Sequence, residues 1–388
     1  MLEVRKEKSS KELSIAEKYK MFRGLFSTKI FKNEVRPILY QHFQDVETVH
    51  ENTLRLLGEN AKALRYASKL MGRKKSIEIT VKGKRFAPFG TAAGLDKDGI
   101  AMLPLSYFFG FLEPGTVLVN SREGNPKPRL MADEANLNVY NAEGFPSKGL
   151  RFFQERIIEY RKKGGSAPIY VSVCGLPDPE EGAERALNEM ETLISSLGRY
   201  ADGFVWNPAS PNTSLLTQLR NNDMFAKTAE LMNRYAKEKL KMVKIWPYEE
   251  ADKENTISLV RSFIENGGDG VVVVNTKKVG RENINTESWG YESAGISGKA
   301  LREYRLRAVK DMRSEFPEAM IIACGGIYDG DDAYETFKAG ANMLEGFTPY
   351  VYFGFGLLSE IEKRVSQRLK ADGTDMQTLQ KTVLEKYG

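Results

Sequence analysis

Residues 205–216 read VWNPASPNTSLL, a short apolar run that stops abruptly at Asn207, with Ser210, Asn212 and Thr213 close behind. The apolar residues have the composition of a buried strand, and the amides and hydroxyls after it can hold a planar, multiply hydrogen-bonding ligand beside a reactive group. Polar residues gathered at the C-terminal end of a buried strand are how α/β barrels build their sites. The stretch therefore predicts one strand of such a barrel, and the neighbouring sequence shows whether there are others.

From about residue 86 the chain alternates short apolar runs with amphipathic stretches such as 179–198 and 224–241. Strands are expected near 88–92, 111–119, 168–173, 203–207, 242–245, 270–275, 319–324 and 343–346, a pattern of parallel βα units. Eight is the number that closes a (β/α)8 TIM barrel. The competing doubly wound sheet would bring a GxGxxG after the first strand and ligand groups at one switch point. This sequence has no such motif, and its polar residues follow nearly all eight runs. A length of 388 residues, 41% apolar and 28% charged, suits a barrel of the α/β class plus an appended element. The net charge of +5 is spread among balancing acids, so no nucleic-acid partner is expected. Cys174 and Cys324 read as reduced thiols. The two histidines, His42 and His50, both lie near the N-terminus, which excludes a histidine triad or multi-histidine metal site in the main body. No metal is expected, and proton transfer there falls to Ser, Lys, Cys, Tyr or a carboxylate.

Two pieces are predicted: an N-terminal helical extension over 1–75 and a barrel over 76–388. Residues 1–17 are charged and suit neither a signal peptide nor a spanning helix. In 18–36, Phe22, Leu25, Phe26, Ile30 and Phe31 alternate with Lys and Arg, the composition of a helix lying at a membrane surface. Packing of that apolar stripe on the barrel is the alternative. A second amphipathic helix is expected over 46–71. The most apolar stretch, 101–119, is interrupted by Pro104, Glu113, Pro114 and Gly115, so nothing is expected to span a bilayer.

The strand ends carry a consistent chemistry. AAGLDKDG (92–99) offers Ala93 and Gly94 for close approach of a flat ring, and Lys97 as a cation. Thr116 follows the second run, Ser172 ends the third, Asn207 the fourth, Lys244 in VKIWP the fifth, and Asn275 and Thr276 in VVVVNT the sixth. GISGK (295–299), CGGI (324–327) and EGFT (345–348) read as glycine-bearing turns after late strands, where backbone N–H groups cradle phosphate in barrels. A lysine inside an apolar strand, as at Lys244, needs an anionic or electron-rich partner. One phosphate and a large polar ring system fit all eight ends, and flavin mononucleotide (FMN) is the natural candidate.

AAGLDKDG, GNPKPRL (124–130), SPNT (210–213), VKI (243–245), VNT (274–276), SGK (297–299) and GGI (325–327) occur in the order and spacing of the dihydroorotate dehydrogenases, which the chain resembles over roughly residues 40–365. Serine at the base position and the N-terminal extension resemble the membrane-associated, quinone-reducing class. The resemblance implies oxidation of dihydroorotate to orotate in pyrimidine biosynthesis, with FMN as cofactor and a membrane quinone as acceptor. It implies peripheral attachment to a membrane surface, on the cytoplasmic face of a bacterial inner membrane. Ser210 becomes the catalytic base, taking a proton from C5 of dihydroorotate while hydride leaves C6 for the flavin, and it needs help from a water or Thr213. Lys97, Asn207, Asn212, Asn275 and Thr276 match substrate-binding positions. Ala93, Gly94, Lys97, Thr116, Ser172, Asn207, Lys244, Gly298, Gly325, Gly326, Phe347 and Thr348 match cofactor-binding positions. DVETVHENT (45–53) places His50 and Gln41 along a quinone tunnel, with Arg129 at its inner end.

The pattern is broken on the substrate side. GFPS (144–147) puts Pro146 where an asparagine is usual, Ser172 replaces another, Leu215 and Thr217 replace a glycine and an arginine, and Phe347 replaces a tyrosine. Loss of one hydrogen-bond partner costs a polar pocket much of its selectivity. Either the orotate pocket is rebuilt with groups such as Ser147 and Lys148, or the substrate is a different ring or enone-like compound. A third possibility is a flavin-binding, membrane-peripheral protein without turnover, which retention of Ser210, Lys97 and the three asparagines disfavours.

Overall fold

The computed structural model describes residues 14–43, 45–70, 77–180, 182–284 and 289–387. Its centre is eight parallel strands: β1 (Phe89–Thr91), β2 (Phe111–Leu112), β3 (Tyr170–Val173), β4 (Gly203–Trp206), β5 (Leu240–Lys244), β6 (Gly270–Val273), β7 (Met320–Cys324) and β8 (Met343–Gly346). They are ordered β2-β1-β8-β7-β6-β5-β4-β3, and the parallel bridges Leu112↔Ile169 and Val117↔Val173 join the two ends into a barrel. Each expected run overlaps one strand, and β5 begins two residues earlier than expected. The largest difference is at 111–119, where the ladder stops after Leu112 because Pro114 has no N–H to donate. Strand residues such as Val271, Val272 and Val273 are fully buried, as in a parallel sheet covered on both faces. Outside the barrel, Phe225 of helix Asn222–Tyr235 packs edge-on against Trp206 with centroids 4.8 Å apart. An antiparallel hairpin, Ile79–Val81 with Lys84–Phe86, closes the end where the strands begin. Its Phe86 meets Phe111 and Tyr170 there, and Lys84 pairs with Asp202 at 2.5 Å.

The opposite end carries a sheet that the sequence reading did not anticipate. Leu130–Asp133 and Asn138–Asn141, from the connection after β2, pair antiparallel with Ser293–Gly298 and Lys277–Gly280, from the connection after β6. GISGK is thus not a free turn. Its first four residues are strand, Gly295 lies opposite Asn141, and Gly298 ends the strand at φ 103°. This roof has a small core of its own around Tyr140, Trp289 and Ile296.

The extension is helical but more broken than expected. The 18–36 stretch is not one helix: α1 (Ile15–Gly24) ends before Ser27, which caps a new turn, and a π-helical segment Phe31–Val35 leads into α2 (Arg36–Phe43). Its large apolar residues face inward. Leu25, Phe31, Val35 and Leu39 are buried, and Phe22 and Phe26 pack against the cores, so most of the stripe is covered by protein. The 46–71 stretch forms α3 (Val46–Glu59), capped by Asp45 through Thr48 N at 2.9 Å, and α4 (Ala61–Leu70), with Asn60 between them. Residues 1–13 and the proposed division at 75/76 lie outside the described residues.

Candidate active site

The strand ends converge on one cavity with about 1080 Å³ of empty space, part of it open to solvent. Ala93, Gly94, Lys97, Thr116, Asn207, Ser210, Lys244, Asn275, Thr276, Gly298, Gly325, Gly326, Phe347 and Thr348 all line it. Ser172 and Asn212 stand one hydrogen bond behind its wall. The Ser172 and Thr116 hydroxyls are 3.0 Å apart, and Asn212 Nδ2 donates to Asn141 Oδ1 at 2.7 Å. Asn141 lines the cavity, and the sequence reading did not single it out.

Amides and hydroxyls form a chain across the strand ends. Asn207 Nδ2 donates to Thr116 Oγ1 at 2.8 Å, Asn275 Nδ2 to Asn207 Oδ1 at 3.0 Å, and Thr276 N to Asn275 Oδ1 at 2.7 Å. Each side chain fixes the rotamer of the next, so the row is held in place before any ligand arrives. Ser210 follows on the loop after β4 and is partly exposed to the cavity. Its Oγ accepts only a long bond from Asn212 N, at 3.4 Å. Thr213 Oγ1, expected to assist it, is buried without a hydrogen-bond partner.

Beneath this row, Lys244 on β5 has two carboxylate partners: Glu345 Oε1 at 2.7 Å and Glu113 Oε1 at 3.3 Å. All three side chains are buried. Burial pushes the Glu113 carboxyl well above the usual range and Glu345 adds to it, with Lys244 opposing. Burial works against the Lys244 ammonium, yet the two glutamates outweigh it and raise its pKa. The raised Glu113 carboxyl favours its protonated form, which limits the negative charge facing the buried Lys244. These glutamates were not singled out in the sequence. A signal was present, since Glu113 in the apolar run FFGFLEP needs a buried partner as much as Lys244 does.

On the other side of the cavity, Gly325 and Gly326 turn with φ of 100° and 67°, conformations that L side chains rarely adopt. A Cβ on Gly326 would also lie 2.7 Å from Arg302 N. Directly behind them Arg305 is fully buried and donates Nη1 to Gly325 O at 2.6 Å, while its Nε and Nη2 have no hydrogen-bond partner. Arg305 does not itself line the cavity; it holds the turn through Gly325 O and adds a positive charge behind it, and such a glycine turn suits an anion such as phosphate. Thr348 Oγ1 donates to Ser297 Oγ at 2.8 Å on the same wall.

A sequence model of the dihydroorotate dehydrogenases matches residues 76–369. The chain belongs to the dihydroorotate dehydrogenase family. It is 31% identical over 350 residues to the dihydroorotate dehydrogenase (quinone) of Methylococcus capsulatus, covering 87% of this chain and 99% of the relative. It is also 31% identical to that of Azotobacter vinelandii, covering 82% of this chain and 93% of the relative. The crystal structure of DHODH in complex with ferulenol from Eimeria tenella superposes with a TM-score of 0.77 at 26% identity, covering 88% of this chain and 97% of that one.

In this member of the dihydroorotate dehydrogenase family, a second, apolar cavity lies between the N-terminal helices and the barrel. Leu25, Phe31, Leu39, Val49, His50 and Phe355 line it. Phe347 lines both cavities and separates them. Of the three residues expected along a tunnel, His50 lines this space, with its ring centroid 5.3 Å from that of Phe347. Gln41 does not line it. It is exposed on α2, and Arg36 from the same helix reaches the cavity instead. Arg129 lines a separate polar cleft that shares His50 and Lys97. It is buried against Glu47 of α3, which accepts from Arg129 N at 2.6 Å and Nε at 2.8 Å.

Burial, with help from the Lys97 charge, lowers the His50 pKa to about 4. The ring is therefore neutral at pH 7. Its folded pKa lies below the unfolded value, so the stability it contributes is present above pH 6.5 and is lost as pH falls towards 4. An NMR titration has only two imidazoles to resolve. His50 is expected to titrate near pH 4, and a midpoint near 6.5 would show the ring open to water.

Proposed function

We propose that the chain is an FMN-dependent dihydroorotate dehydrogenase that passes electrons to a quinone, in pyrimidine biosynthesis. The observation that carries this reading is the single cavity with two chemically distinct sides. Lys97, Asn207, Ser210, Asn275 and Thr276 offer ring-reading donors and acceptors on one side, and the glycine turn backed by Arg305 suits an anion on the other. On this reading Gly298, Gly325, Gly326 and Thr348 hold the FMN phosphate, while Ala93, Gly94, Thr116, Ser172, Lys244 and Phe347 surround its ring system. FMN, when bound, supplies a two-electron acceptor beside the substrate. Asn207, Asn212, Asn275 and Thr276 orient the substrate ring amides, Lys97 meets its carboxylate, and Ser210 accepts the proton that leaves C5. The apolar cavity beside His50 admits the quinone and shares Phe347 with the first site. Arg129, held by Glu47, lines the polar cleft that meets this cavity at His50. Attachment at the surface of a bacterial inner membrane, on its cytoplasmic face, completes the reading. No helix among the described residues is long and apolar enough to cross a membrane.

Pro146 favours a second reading, an FMN oxidoreductase acting on another ring or enone-like compound. It lines the cavity with a side chain that neither donates nor accepts hydrogen bonds. Titrating purified flavoprotein with orotate while following flavin absorbance separates the two. Dihydroorotate oxidation predicts a saturable spectral shift, and an unchanged spectrum at saturating orotate would leave the second reading.

A further inference from the structure

Lys97 reaches the cavity from the loop after β1, and there it already has a partner: its ammonium stands 3.0 Å from Glu143 Oε1. Glu143 follows the roof strand Asn138–Asn141, and both side chains line the cavity. The second carboxylate oxygen of Glu143, Oε2, is buried with no hydrogen-bond donor. The nearest other cation is Arg129, whose Nε lies 3.8 Å from it and whose guanidinium is held by Glu47. Burial works to raise the Glu143 carboxyl, but Lys97 and Arg129 outweigh it and hold it below the ordinary carboxylate value. Glu143 is therefore charged at neutral pH, and the cavity contains a carboxylate of its own.

A ligand carboxylate that meets Lys97 must share its ammonium with Glu143 or displace it. Either way two like charges compete for one cation in a largely buried space. Three residues further along the same segment, Pro146 withholds an amide from the ring. The asparagine row opposite, which reads neutral amide edges, is intact. We propose that Glu143 is a specificity-determining residue whose carboxylate occupies Lys97 and biases the cavity against carboxylate-bearing rings relative to neutral rings with amide edges. The proposal rests on the reading above, in which Lys97 is the group that meets the ring carboxylate.

The test uses the FMN-loaded protein, with flavin absorbance followed during titration with orotate and with uracil, a neutral pyrimidine lacking the carboxylate. Glu143→Gln removes the competing charge at nearly constant volume, and Glu143→Met serves if the amide disturbs folding. Either variant is expected to bind orotate about tenfold more tightly or better, from relief of like-charge competition, with uracil affinity changed less than about threefold. Orotate binding that is detectable but no tighter in both variants overturns the proposal and leaves the function standing. Equal tightening for uracil also overturns it, since the effect would then be one of space. Silence with orotate in wild type and variants alike overturns the function and the proposal together.

Discussion

Ser210→Ala is expected to leave FMN bound and to slow flavin reduction by dihydroorotate by about 10²–10⁴-fold, the contribution of a positioned proton acceptor. The hydroxyl is the one group on the loop after β4 that both lines the cavity and can take a proton, because Asn207 and Pro211 beside it cannot. Its removal should not disturb the asparagine row, which is linked through Thr116 and Asn275 rather than through Ser210. No carboxylate or imidazole hydrogen-bonds to Ser210 among the described residues, since its Oγ accepts only from Asn212 N at 3.4 Å. The proton it takes must then pass onward to a ligand-side group or water, and alanine has no oxygen to take it first. Stopped-flow bleaching of the flavin measures the effect. An unchanged rate would assign proton removal to another residue.

Glu47→Ala is expected to cost about 3–5 kcal/mol of stability, the range for stranding one partner of a buried ion pair. Glu47 and Arg129 are 3% and 5% exposed, so neither charge is relieved by water. Glu47 satisfies both the Arg129 side chain and its backbone N–H. Glu143 and Glu51 lie within 4 Å of that guanidinium, at 3.8 and 3.9 Å, too far to replace the bonds lost. Glu47 belongs to α3 and Arg129 to the connection after β2, so the substitution also loosens the extension from the barrel. The shift in the urea unfolding midpoint measures the loss. A change below about 1 kcal/mol, typical of an exposed pair, would show that water reaches the site.

The barrel was legible because each of its strands is a compact apolar run followed by polar residues, a local signal that needs no knowledge of partners. Val271 to Thr276 shows this within six positions. The roof was not legible for the opposite reason. Asn138–Asn141 and Ser293–Gly298 are short and mixed in polarity, and they become strands only by pairing with each other across the chain. The carboxylates at 113, 143 and 345 were passed over because a glutamate in a loop or at a strand edge is ordinarily a solvated charge. Their meaning comes from what faces them, Lys244 in one case and Lys97 in the other. Gln41 shows the converse case, matched by position yet exposed and away from the apolar cavity. Its neighbours Leu39 and Phe43 take the buried face of that helix.

The roof also sets an order of assembly. Asn141 and Gly295 are hydrogen-bonded partners 154 positions apart. During synthesis, Glu143, Pro146 and the strand that precedes them therefore emerge long before Ser293–Gly298 exists to pair with them. Closing so long a loop is a slow, entropically opposed event that neighbouring βα units do not face. The barrel's own closure, Leu344 beside Phe89, joins residues still further apart, so the cavity is complete only once both distant pairings have been made.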